Sequence, residues 1–168
     1  RPLDPLTSEF FPAVLEGRGP TRLGVPAAEV LVPGRAEGPL VGGCLSLLAA
    51  LAGTPWEPDL EGAVLFLEEI GEEAYRLDRL LGTVLSSGRS GRLAGIITGS
   101  MTRVTFGGEE DPERLRRLLR DRLSRHGIPV AAGLPFGHAG PNVPLPFGTR
   151  VSWDGESRTL GFEEEFLS

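Results

Sequence analysis

The sequence predicts an α/β fold with a central, largely parallel sheet and a smaller antiparallel layer beside it. Three observations carry this reading. Short apolar runs at Ala63–Leu67, Leu93–Thr98 and Ile128–Ala132 have the length and composition of strands buried on both faces. Two amphipathic stretches lie between them, which gives the alternation strand–helix–strand–helix–strand. Short runs at both ends of the chain, broken by turn signals, read as the hairpins of a second layer.

The elements follow in order. Arg1–Pro5 reads as linker, because Pro2 and Pro5 oppose regular structure. Thr7 or Ser8 is placed to cap a short helix through Leu15, ended by Gly17. Thr21–Val25 and Glu29–Val32 read as two strands around a Pro26 turn, and Pro33-Gly34 is a further turn signal. Gly38–Gly53 opens as a strand, bends at Gly42-Gly43, and continues as an apolar helix from Cys44 to Ala52. Glycines before a helix fit either a close-packed turn or a site where backbone N–H groups meet an anion, and the packed turn is the simpler reading. Ser46 sits in that apolar helix without a nucleophile elbow, so it reads as a packed helical serine.

Glu72–Ser86 is amphipathic, with Ala74, Leu77, Leu81 and Val84 on one face. Glu72 and Arg76 are spaced as a solvated i,i+4 pair, and Asp78-Arg79 reads as an exposed ion pair. The Leu93–Thr98 strand is expected to end at Gly99-Ser100. Asp111-Pro112-Glu113 is a helix start, an N-cap acid followed by Pro at N1. Leu115, Leu118, Leu119 and Leu123 form its buried stripe, Gly127 stops it, and His126 reads as a cation at its end. Thr149–Trp153 and Arg158–Phe162 flank Asp154-Gly155 as a hairpin, and the acidic tail Glu163–Glu165 reads as solvated.

The totals narrow the function. The 168 residues suffice for one domain with a real core. A formal charge of -6 argues against nucleic acid or an acidic membrane as the main partner. No apolar run is long enough to cross a bilayer. Cys44 is the single cysteine, which excludes an intrachain disulfide and suits a reducing, cytoplasmic compartment. Two histidines and one cysteine make a dedicated transition-metal site improbable. The first residue is Arg1, not Met, so an upstream piece is expected to be missing.

The chemistry concentrates in two stretches. Val64–Arg79, VLFLEEIGEEAYRLDR, ends a buried strand in Glu68 and Glu69 just before a helix. That is the usual place for a site on an open α/β sheet. Gly133–Asn142, GLPFGHAGPN, follows another buried strand and holds His138 among glycines and prolines. An imidazole there suits a general base, and it needs an acid partner to fix its tautomer. Glu68 is placed for this, but strand side chains alternate, so only one of Glu68 and Glu69 can face His138. The residues alone fit equally an N-cap carboxylate and an ordinary loop histidine. No nucleophile is evident.

LVGGCLSLLAALAGTPW, LFLEEIGEEAYRLDRLL and GLPFGHAGPNVPLPFG, in that order, resemble the C-terminal half of the LD-carboxypeptidase family of serine peptidases. The family includes murein tetrapeptide carboxypeptidases and microcin-immunity peptidases, and the similarity runs from about Pro5 to the end. The resemblance implies that Glu68 and His138 are the acid and base of a Ser-His-Glu triad. It implies a swivelling three-layer β/β/α domain at 21–168, preceded by an interdomain linker and short helix at 1–20. It implies a nucleophilic serine in an N-terminal domain absent from this chain, a murein-derived peptide as substrate, and a homodimer. Two positions depart from the family pattern: Cys44 stands where Asn is usual, and Glu69 where Asp is common. The alternatives carried from the sequence are a microcin-immunity-type peptidase and a non-catalytic interaction or phosphohistidine-type swivelling module. The stretch around His138 lacks a Ser-His phosphoacceptor pattern, which disfavours the latter.

Overall fold

The computed structural model describes residues 3–16, 22–87 and 92–162. It forms a mixed sheet of eight strands: β1 (Arg22–Gly24), β2 (Glu29–Val32), β3 (Arg35–Cys44), β4 (Val64–Ile70), β5 (Gly95–Thr102), β6 (Val130–Ala132), β7 (Arg150–Asp154) and β8 (Thr159–Phe162). Their order across the sheet is β1-β8-β7-β3-β4-β5-β6-β2. Among the described residues four α-helices accompany them: α1 (Pro5–Leu15), α2 (Leu45–Leu51), α3 (Ala74–Leu85) and α4 (Pro112–Leu123).

Strand β3 joins the two layers. Its first half, Arg35–Pro39, pairs antiparallel with β7. Its second half, Leu40–Cys44, pairs parallel with β4. β4, β5 and β6 continue in parallel, as the apolar runs predict. Two cores result. Val64, Phe66, Ile97 and Ala131 pack with Val151, Trp153, Leu160 and Phe162, on the face shared with the antiparallel layer. Leu65, Leu67, Ile96 and Val130 pack with Leu45, Leu77, Leu81, Leu119 and Leu123, on the face covered by helices. Each fully buried Leu contributes about 1.5–3 kcal/mol of transfer free energy.

α3 buries Ala74, Leu77, Leu81 and Val84 at helical spacing. α4 starts where the sequence places it: Asp111 caps it by accepting from Arg114 N at 3.0 Å, and Pro112 takes N1. After α4, Gly127 adopts φ 64° and ends the helical path.

Several sequence expectations are corrected. Pro5 is the first residue of α1 rather than part of a linker, and Asp4, not Thr7 or Ser8, is the N-cap. A proline at N1 loses no hydrogen bond, so the same residue that opposes a helix interior suits its start. β1 and β2 form no hairpin: β1 pairs with β8 and β2 with β6, at opposite edges. Gly42 and Gly43 are not a bend but the last part of β3, where a Cβ on Gly42 would stand 1.9 Å from Phe66 O. β5 runs past Gly99 to Thr102. Asp78 pairs with Arg122 of α4 rather than with Arg79. Gly17, Thr21 and the tail Glu163–Glu165 lie outside the described residues.

Candidate active site

The end of β4 separates its two acids by simple alternation. Val64 and Phe66 face the antiparallel layer, Leu65 and Leu67 face the helices, and the pattern continues through Glu68 and Glu69. Glu68 therefore points away from the helices, and its Oε2 lies 2.5 Å from His138 Nδ1. Glu69 points toward α2. Its Oε2 accepts from Ser46 N at 2.7 Å and its Oε1 from Ile70 N at 2.9 Å, with Cys44 Sγ at 3.5 Å. Cys44 makes no side-chain cap to α2. The carboxylate of Glu69, reaching over from the neighbouring strand, satisfies an N-terminal amide of that helix instead.

The His138 loop is held from three sides. Ser100 N donates to Phe136 O at 2.8 Å, and Ser100 Oγ accepts from Ala139 N at 3.1 Å. Asn142 Oδ1 accepts from Gly137 N at 3.0 Å. Asn142 N in turn donates to Thr7 Oγ1 at 3.0 Å, and that hydroxyl donates to Asp4 Oδ2 at 2.5 Å. The Thr7 hydroxyl, joined by the Thr7 amide, holds the Asp4 carboxyl below the usual carboxylate range. Gly137 sits at φ 107°, and a Cβ there would stand 2.6 Å from Ser100 Oγ and 3.1 Å from Glu68 Oε2. Phe136 is anchored by an edge-on contact with Phe66, centroids 4.7 Å apart.

Ser100 owes its place to an irregularity. Between the pairs Leu67–Thr98 and Glu69–Met101, β5 advances one residue more than β4. Such a bulge re-aims a side chain, and here it brings Ser100 to the loop.

An imidazole that donates Nδ1–H to a carboxylate carries its lone pair on Nε2. His138 Nε2 has no hydrogen-bond partner among the described residues, while 45% of the side chain is exposed and Glu68 is only 8% exposed. The ring opens into a cleft of about 790 Å³ lined in part by Leu3, Phe11, Asn142 and Pro144. Chemically, such a pair can take a proton from a group in that cleft and hold the charge.

The remaining candidates lie elsewhere. His126 is exposed at the end of the turn after α4. Ser46 and Cys44 belong to the Glu69 cluster. No hydroxyl or thiol is bonded to His138 among the described residues. No three His, Cys, Asp or Glu side chains among them are grouped to hold a metal ion, and no helix is long and apolar enough to cross a membrane. Sequence reasoning missed Ser100, Asn142 and Thr7. Asn142, in a Gly/Pro loop, carried a turn signal that points to such a role. Ser100 carried none, because a bulge leaves no mark in local composition.

Comparison with known proteins agrees with this architecture. The model of the LD-carboxypeptidase C-terminal domain matches residues 37–152. A Streptomyces coelicolor protein provisionally named a carboxypeptidase is 44% identical over 138 residues, 82% of this chain and 43% of that one. The murein tetrapeptide carboxypeptidase of Pseudomonas aeruginosa is 34% identical over 122 residues, 72% of this chain and 39% of its own. The chain thus spans less than half the length of these curated relatives. The crystal structure of muramoyltetrapeptide carboxypeptidase from Oxalobacter formigenes superposes with a TM-score of 0.73 at 32% identity, covering 95% of this chain and 54% of that one. The microcin C7 self-immunity protein MccF superposes with a TM-score of 0.69 at 25% identity, covering 84% of this chain and 42% of that one. The chain belongs to the LD-carboxypeptidase family, whose C-terminal domain it carries.

Proposed function

We propose that the chain is the C-terminal domain of a serine carboxypeptidase that releases a terminal D-amino acid from a murein-derived tetrapeptide. His138 is the general base and Glu68 the acid that orients it. The nucleophilic serine comes from an N-terminal domain, in the part of the relatives' length this chain does not span. Residues 1–20 hold the interdomain linker and the short helix α1, and residues 21–168 form the C-terminal domain. The observation that carries this reading is the Glu68–His138 hydrogen bond of 2.5 Å with Nε2 open to a cleft.

The serine Oγ–H gives its proton to Nε2 as Oγ attacks the scissile carbonyl. Glu68 stabilises the imidazolium. The proton passes to the leaving amine, and the D-amino acid departs. Water then attacks the acyl-enzyme, again giving its proton to Nε2, and the serine is restored. No metal or organic cofactor takes part. Without the nucleophile domain, base and acid offer no covalent route, so this chain alone is inactive. The free Cys44 suits a cytoplasmic enzyme, and a homodimer is the assembly we expect.

The test assays the chain alone and the two-domain protein on murein tetrapeptide, with a microcin-like aminoacyl nucleotide as second substrate. Release of the terminal D-amino acid by the two-domain protein, and none by this chain, is expected. Preference for the nucleotide, or full activity of this chain by itself, rejects the reading.

A further inference from the structure

We infer that Ser100 is a positioning residue for His138, setting the imidazole against Glu68 without touching substrate. This rests on the acid–base reading above and adds a residue to it. Ser100 brackets the loop with two atoms of one residue: its N–H holds Phe136 O at 2.8 Å and its Oγ receives Ala139 N–H at 3.1 Å. These contacts fall two residues before His138 and one after it. Between them the backbone passes through Gly137 at φ 107°, a conformation the chain does not hold by itself outside glycine. Elsewhere the loop is tied by Asn142, whose Oδ1 accepts from Gly137 N and whose N donates to Thr7 Oγ1, and by Val143 N donating to Pro135 O. On the downstream side, the Ser100 hydroxyl is the side-chain acceptor that fixes the peptide leaving His138.

The consequence is directional. A carboxylate–imidazole bond needs the ring plane within a narrow angle. Glu68 is buried on a rigid strand and does not follow a loop that moves. Loss of the Ser100 acceptor frees the His138–Ala139 peptide, and the Nδ1–H to Glu68 bond opens more often.

The test is imidazole NMR on this chain, following the hydrogen-bonded Nδ1 proton of His138 and the 15N signature of its tautomer. Backbone amide spectra check folding. Glu68→Gln tests the acid–base reading: the downfield Nδ1 resonance should be lost, and its persistence unchanged would overturn the Glu68–His138 pairing itself. Ser100→Ala should speed exchange of that proton with water about tenfold, the scale of one net hydrogen bond, and should mix the two tautomers. Ser100→Cys, close in shape but a poor acceptor, should do the same and serves if alanine disturbs the strand. Ser100→Thr, which keeps the hydroxyl and suits a strand, should stay near wild type. Exchange within about twofold of wild type in the folded Ala and Cys variants, with the Glu68→Gln effect intact, would overturn the role of Ser100 and leave the acid–base reading standing.

Discussion

Glu68 and Glu69 are consecutive residues of one strand whose carboxylates lie on opposite faces of the sheet, one bonded to His138 Nδ1 and the other to the first turn of α2. Two acids of identical chemistry thus divide into one that meets His138 and one that caps a helix, and strand geometry makes the division.

The division has a stability signature. Glu69→Ala leaves Ser46 N–H and Ile70 N–H without their acceptor, which costs about 2–4 kcal/mol in all. Glu68→Gln keeps the shape of the side chain and a hydrogen-bonding group against Nδ1, and is expected to change stability by less than about 1 kcal/mol. Urea unfolding of the two variants should show that order.

The two glycines at the end of β3 should respond unequally. A Cβ at Gly42 would stand 1.9 Å from Phe66 O, whereas nothing lies within 4 Å of one at Gly43. Both have positive φ, 153° and 145°. Gly43→Ala therefore meets backbone strain alone, about 1–3 kcal/mol. Gly42→Ala must also part β3 from β4 beside Glu68, and its loss should exceed about 3 kcal/mol. Thermal unfolding ranks them.

Asp4 links α1 to the His138 loop through Thr7 and Asn142, and its hydrogen bonds depress its pKa. A depressed carboxylate stabilises the fold above its unfolded pKa and loses that effect as pH falls through the folded value. Wild type should therefore exceed Asp4→Ala in unfolding midpoint at neutral pH. The gap should shrink as pH falls through the lowered pKa of Asp4, below the ordinary carboxylate range. A gap that persists fully in strong acid would contradict this link.

Much of the fold was legible because its signals are local. The β4 run, the α3 stripe and the Asp111-Pro112 start of α4 each declare themselves within a few residues. What was missed is non-local. β1 and β2 look like a hairpin because they are close in sequence, yet β1 pairs Leu23 with Leu160 of β8 and β2 pairs Val30 with Ala131 of β6, both far along the chain. Gly42-Gly43 resembles a turn because glycine favours turns, but here it serves the close approach of Phe66 O. At the site, Glu68 at the end of β4 and the His138 loop after β6 both lie at the carboxyl ends of buried parallel strands, so their nearness was readable in the strand pattern. Which acid faces the ring required the strand's register to the core, and Ser100 required a bulge that no composition shows.

The most direct measurement compares kcat for Glu68→Gln and Glu69→Gln in the proposed two-domain enzyme on murein tetrapeptide. The account predicts a loss of about 10⁴-fold for Glu68→Gln, the scale of disabling the orienting acid of a triad. For Glu69→Gln it predicts a loss below about tenfold, since among the described residues that carboxylate bonds to α2, β4 and Cys44 rather than to His138. Comparable losses in both, or a Glu68→Gln enzyme that keeps wild-type kcat, would contradict it.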